Sequence, residues 1–216
     1  MSKTIDGGLV IAFDGPDGIG KSTQAALYKE YLTQQGYIAH LTAMSGGTPI
    51  GEALRQAMLS DNPRPAETDV YISLAMGVAL AEDLGLHRAR GEICLIDRSP
   101  LAVIAYNTYG SQLANKEWGM NAAELLFKRL AVDALVMFTA NPATINERRN
   151  IRTDKPLDFY ENKGDAYHQR VNEGYDFGKQ FAAKQLGIHV LDIEAEGPKQ
   201  QVHRSVVQTL QPYLPS

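Results

Sequence analysis

The chain has 216 residues, 44% of them apolar, with 21 Lys and Arg against 25 Asp and Glu and a formal net charge of -4. Its length suits one α/β domain with a sizeable core, and its apolar content excludes global disorder. Balanced charge argues against a broad basic face for nucleic acid, and a single cysteine excludes a disulfide framework or a multi-cysteine zinc site. One cysteine also fits a reducing cytoplasm. No stretch approaches the roughly 18 apolar residues of a membrane span. The opening residues MSKTID lack the apolar core of a signal peptide. The expectation is a cytoplasmic protein with no nucleic-acid or membrane partner.

Residues 9–14 (LVIAFD) predict a fully buried strand, ended by a Gly-Pro turn. Residues 21–35 predict a helix with an apolar stripe of Ala25, Ala26, Leu27, Tyr31 and Leu32, closed by Gly36. Residues 37–41 (YIAHL) form a second strand, and 50–60 and 66–89 two helices. Residues 92–97 (EICLID) give a third strand, followed by helical stretches near 100–114 and 120–131. Residues 134–139 (ALVMFT) form a fourth strand, 165–186 a helix, 188–193 (IHVLDI) a fifth strand and 198–211 a terminal helix. This alternation implies a five-stranded parallel sheet covered on both faces, with ligands at the carboxyl ends of the strands. No linker is evident, so residues 1–216 read as one domain.

Residues 15–22 (GPDGIGKS) match G-x-x-x-x-G-K-[ST] in full, between a strand and a helix as that motif requires. Gly15, Gly18 and Gly20 permit backbone angles that let successive N–H groups point at phosphate oxygens. The helix N-terminus adds positive potential. Lys21 then bridges β- and γ-phosphates, and the Ser22 hydroxyl binds Mg²⁺. The fold class is therefore a three-layer P-loop NTPase fold. No D-x-x-G follows the third strand, and Asn115-Lys116-Glu117-Trp118 lacks the aspartate that reads guanine, so a GTPase is disfavoured. Asn115 and Lys116 read as a solvated turn. Asp97-Arg98 ends the third strand beside the loop. A carboxylate there can hold the Mg²⁺ hydration shell, and Arg98 offers a planar fork to an acceptor phosphate.

Four segments in order resemble the thymidylate kinase family, over roughly residues 9 to 210. They are Phe13 to Gln24; Gly46-Gly47-Thr48-Pro49 through Arg55; Asp97-Arg98 with Ala105-Tyr106; and Leu157-Asp158 with Glu161, followed by Tyr167 to Tyr175. The resemblance implies transfer of phosphate from ATP·Mg²⁺ to a nucleoside monophosphate, dTMP or a related nucleotide. It implies ATP binding by Gly15, Pro16, Asp17, Gly18, Ile19, Gly20, Lys21, Ser22 and Thr23. It implies an acceptor site of Asp17, Arg55, Arg98 and Tyr106, with Ser22 and Asp97 near the metal. It further implies a short lid at about 148–162. With Ile19 in the loop, that lid would supply a catalytic arginine, for which Arg149 and Arg152 are the candidates. Lys21, Asp17 and Arg98 complete the catalytic set. Family members form homodimers, and the Ala- and Leu-rich helices leave surface for such an interface.

The acceptor pocket departs from the family pattern. Ala43-Met44-Ser45 replaces Arg-Glu-Pro, no Arg or Lys occurs from Pro65 to His87, Ala102-Val103-Ile104 replaces a polar cluster, and Phe159 stands where arginine is common. Sites without polar partners discriminate bases poorly. Two alternatives therefore stand: a P-loop kinase for another nucleotide or a nucleoside, and a nucleotide-binding protein without kinase activity. Cys94 reads as an inert core thiol. His87, His168, His189 and His203 show no ligand spacing and read as structural or solvated.

Overall fold

The computed structural model describes residues 3–141, 144–145, 148, 159–160 and 162–215. β1 (Leu9–Asp14) is buried along its whole length at the centre of the sheet. β3 (Ile93–Asp97) and β4 (Ala134–Thr139) flank it, with β2 (Ala39–Ala43) and β5 (His189–Glu194) at the edges. All neighbouring pairs are parallel, in the order β2-β3-β1-β4-β5. The chain steps to one side of β1 for β2 and β3, then crosses to the other for β4 and β5. A crevice opens at the carboxyl ends where that direction changes.

Side chains alternate between an upper core, which holds Val10 and Ala12, and a lower core, which holds Ile11 and Phe13, as the strand period of two dictates. Val10, Ala12, Cys94, Ile96 and Leu135 face α2 (Pro49–Leu59), α3 (Ala66–Ala89), α4 (Lys116–Leu130) and α5 (Asp165–Lys184). Ile11, Phe13, Leu95, Val136 and Phe138 face α1 (Lys21–Gln34) and α6 (Lys199–Leu210). Each such buried Ile, Leu, Val or Phe stabilises the fold by about 2 kcal/mol. The three-layer α/β fold matches expectation.

The differences from expectation are local. β2 starts two residues later than expected; Tyr37 instead closes the lower core, its hydroxyl donating to the Pro215 carbonyl at 3.1 Å. On α1 the buried stripe is Ala25, Tyr28 and Leu32, while Ala26, Leu27 and Tyr31 are half-buried. α4 begins at Lys116 rather than 120, because Asn115 caps it by accepting the Trp118 N–H at 3.0 Å. Asn115 is thus exposed, as expected, and serves as a helix cap. Residues Val103–Gly110 wind as a π-helix, with Ser111 N–H donating to Tyr106 O at 2.8 Å. Such segments are frequent at functional sites.

By length and composition α3 is apolar enough to cross a membrane, contrary to the sequence expectation. In this fold it packs on its neighbours, burying Val70, Met76, Leu80 and Leu84. Most of the expected lid lies outside the described residues.

Candidate active site

The loop after β1 is shaped by three glycines at φ 139° (Gly15), 82° (Gly18) and 104° (Gly20). A Cβ on Gly15 would sit 2.5 Å from the Phe138 carbonyl oxygen, so the loop passes against β4 where no side chain fits. α1 then starts with no side-chain cap, which leaves its first N–H groups available to an anion. Ile19 turns inward into the lower core, while Ser22 and Thr23 are exposed in the first turn. The buried Lys21 Nζ donates to the carbonyls of Gly15 (2.8 Å) and Pro16 (2.9 Å) and lies 3.5 Å from Asp17 Oδ1. Burial lowers its pKa and Arg98 adds to that, against the pull of Asp17 and Asp14. The ammonium therefore rests inside the loop's own concavity.

Arg98 leaves β3 with a left-handed backbone, φ 71°, rare for a residue with a side chain. That turn aims its guanidinium at Asp17. Arg98 Nη2 donates to Asp17 Oδ1, and Nη1 donates to the Tyr106 hydroxyl at 3.2 Å. The Tyr106 hydroxyl donates in turn to Asp17 Oδ2 at 2.5 Å. The π-helix places Tyr106 in this triangle. Burial alone would raise the Asp17 pKa; Arg98 and Lys21 beside it hold the carboxyl well below the usual range. Burial would likewise lower the Arg98 pKa, but Asp17 outweighs it and keeps the fork charged. The structure thus brings Asp17, Lys21, Arg98 and Tyr106 together.

Asp14 and Asp97 divide the remaining carboxylate work. Asp14 is fully buried and takes four donors: Gly15 N–H (2.8 Å), Tyr175 OH (3.0 Å), Ser99 N–H (2.9 Å) and Ser99 Oγ (2.6 Å). It ties the loop to the segment after β3, and burial raises its pKa. Sequence reasoning had placed it only as a strand residue. Asp97 Oδ1 is buried and has no hydrogen-bond partner. An orphaned carboxylate oxygen at the carboxyl end of β3, in register with Phe13 of β1 just before the loop, fits a Mg²⁺ ion and its bound water.

The thymidylate kinase family model matches residues 13–206. The chain belongs to the thymidylate kinase family. It is 34% identical over 200 residues to a thymidylate kinase of Exiguobacterium sp., covering 88% of this chain and 87% of the relative. It is 29% identical to that of Trichormus variabilis, with 96% and 98% covered. It is 28% identical to that of Caldanaerobacter subterraneus, with 96% and 97% covered.

Against that thymidylate kinase background, the acceptor side shows what the departures become. A pocket beside Asp17 and Arg98 is lined by Ser45, Arg55, Ser73, Ala102, Asn107 and Tyr160, among others. Val103 and Ile104 are buried in the upper core. A Cβ on Gly77 would meet Leu126 and stand 2.9 Å from Met44 Cε, so Met44 fills the space beside this part of α3. The pocket's polar groups come from elsewhere. Ser73 Oγ donates to Asn107 Oδ1 at 3.4 Å, and Tyr160 OH donates to Asp69 Oδ2 at 2.7 Å. Arg64 Nε donates to Asp69 Oδ1 at 2.5 Å. Arg64 stands one residue before the stretch found empty of basic residues, which is why sequence reasoning passed over it.

Of the arginines near the lid, Arg148 is described. It donates to the carbonyls of Ile19 (3.2 Å) and Gly197 (3.3 Å), linking the phosphate loop to the segment after β5. Arg149 and Arg152 lie outside the described residues.

Proposed function

We propose that this chain phosphorylates dTMP, transferring the γ-phosphate of ATP to give ADP and dTDP. The observation that carries the reading is the adjacency of two anion sites at the carboxyl ends of β1 and β3. One is the glycine loop with Lys21; the other is the Arg98–Asp17–Tyr106 triangle. Between them a donor γ-phosphate and an acceptor phosphate can lie in line.

Residues Gly15 to Thr23 hold the ATP phosphates through backbone N–H groups, and Lys21 exchanges the Gly15 and Pro16 carbonyls for β- and γ-oxygens. Ser22 and Asp97 would hold Mg²⁺, which when bound neutralises charge on the β- and γ-oxygens. Arg98 holds the acceptor phosphate, Asp17 approaches its sugar hydroxyl, and Arg55 and Tyr106 line the acceptor side. An acceptor phosphate oxygen attacks the γ-phosphorus, and the bond to the β,γ-bridging oxygen breaks, leaving ADP. The nucleophile is already anionic, so alignment and charge neutralisation suffice without a strong base. A lid arginine, Arg149 or Arg152, completes the charge stabilisation. Residues 1–216 act as one domain, as a homodimer, in the cytoplasm.

A second reading is transfer to a different nucleotide or nucleoside. The lack of Arg and Lys from Pro65 to His87 favours it. One assay separates these: ADP release with ATP, Mg²⁺ and a panel of nucleotides and nucleosides. Turnover of dTMP above the other acceptors supports the first reading. No turnover of dTMP beside clear turnover of another acceptor selects the second. Absence of any acceptor-dependent ADP formation that Lys21→Ala abolishes would leave a nucleotide-binding protein without kinase activity.

A further inference from the structure

Two histidines distant in sequence meet at the amino end of the sheet, away from the phosphate loop. His40 lies on edge strand β2. Asp83 and His87, spaced i and i+4 on α3, project from one helix face toward it. His40 Nε2 is 3.5 Å from Asp83 Oδ2, and His87 Nε2 is 3.9 Å from the same oxygen. All three ligand atoms lie within 4.8 Å of one another. Two ligand atoms on one tetrahedral ion, with bonds of about 2.1 Å, stand about 3.4 Å apart. Both measured separations need to close by only a few tenths of an ångström.

Two independent features point to a ligand here. His40 Nε2 is buried and, among the described residues, makes no hydrogen bond. Meanwhile His87 Nδ1 lies 2.6 Å from Glu92 Oε2, nearer than the 2.9 Å to Arg90 Nη2, and Arg90 Nε donates to Glu92 Oε1 at 2.6 Å. A carboxylate on one ring nitrogen is the arrangement that fixes the tautomer and orientation of a ligating imidazole, leaving Nε2 to face the ion. Arg90 offsets the charge of Glu92, so Asp83 supplies the anionic ligand. The rings of His40 and His87 stack, with centroids 3.6 Å apart and planes 16° from parallel. An ion must lie in the plane of each ring it binds. His87 is held by Glu92, so His40, whose Nε2 has only the 3.5 Å contact with Asp83, is the ring that turns.

We propose that His40, Asp83 and His87 form a binding site for one divalent transition ion of the zinc class, with water in the fourth position. Two imidazoles and one carboxylate suit such an ion over Mg²⁺. The ion clamps β2, an edge strand paired with β3, to α3.

The test uses chelator-stripped full-length protein in excess Mg²⁺, titrated with Co²⁺ and followed by visible absorption. A parallel thermal melt is run with Zn²⁺. The expected result is one equivalent of cobalt with the intense bands of a four-coordinate ion, and a melting point raised by about 5 °C under zinc. His40→Ala and His87→Ala abolish both signals, while Lys21→Ala retains them. His40→Asn, which keeps a polar group of similar reach, serves should the alanine variant melt early without metal. Absence of the bands and of the thermal shift in the parent protein, or their persistence in the histidine variants, overturns the proposal.

Discussion

Arg98 and Asp17, 81 residues apart in sequence, meet directly: Arg98 Nη2 donates to Asp17 Oδ1 while Asp17 Oδ2 accepts from Tyr106 at 2.5 Å. The left-handed backbone at Arg98 makes this encounter possible. The pair satisfies a guanidinium that an incoming acceptor phosphate can take over by exchanging one oxyanion for another. Arg98→Ala should therefore lower acceptor kcat/KM by about 10³-fold, the scale of losing one transition-state charge partner, and change ATP affinity by less than about twofold. Arg98→Lys should recover little, since an ammonium lacks the fork. Steady-state kinetics beside calorimetric titration with a non-hydrolysable ATP analogue measure both. Equal losses on the two substrates would contradict the acceptor role.

The same pair sets a pH dependence. Asp17 has a folded-state pKa depressed below its unfolded value, near 3.9 for an ordinary Asp. It contributes stability above that unfolded value, and this is lost as pH falls through the folded one. In Arg98→Ala the strongest depressing charge is gone and only Lys21 and the Tyr106 hydroxyl oppose burial, so the Asp17 pKa rises. The acid-unfolding midpoint should accordingly move to higher pH, by about half a unit or more. Circular dichroism from pH 7 to 2 reads it; coincident acid transitions for parent and variant would refute the coupling.

Two glycines of the loop should separate crowding from backbone strain. Gly15 and Gly20 both have positive φ, but a Cβ on Gly15 would strike the Phe138 carbonyl whereas one on Gly20 meets nothing within 4 Å. Gly20→Ala should destabilise by about 1 kcal/mol, the cost of a left-handed alanine. Gly15→Ala adds a forced displacement of β4 or of the loop and should cost about 3 kcal/mol or more. Urea denaturation of the two variants gives the comparison. Equal losses would mean that the loop moves freely away from Phe138.

Strand and helix placement was legible because the buried strands are continuous apolar runs and the phosphate loop is a contiguous motif. Contacts that depend on the third dimension were not. Tyr28 lay outside the expected stripe because that stripe ran through Leu27 and Tyr31, whereas the buried face runs i, i+3, i+7 through Ala25, Tyr28 and Leu32. Asp14 was missed because a strand-end carboxylate acquires its role only from Ser99 and Tyr175, 85 and 161 residues away. The stacked His40 and His87 rings were not legible because their contact joins an edge strand to a helix distant in sequence. Arg64 pairs with Asp69, which holds the pocket-lining Tyr160, from the loop before α3, a position that helix periodicity does not mark.

Cys94 tests whether the sheet is as closed as its contacts imply. The thiol lies fully buried on β3 opposite His40, and burial foremost, with Glu92 adding, pushes its pKa up to about 12. At pH 8 almost none of it is thiolate, and no path leads a reagent to it. Reactivity then requires the sheet to open, so labelling should follow the unfolding equilibrium rather than intrinsic thiol chemistry. Ellman's reagent should modify the native protein at least about 10³-fold more slowly than the protein in urea, and the native rate should rise in Gly15→Ala in step with its lost stability. A native rate close to the denatured one would mean that β2 and β3 part readily at this edge of the sheet.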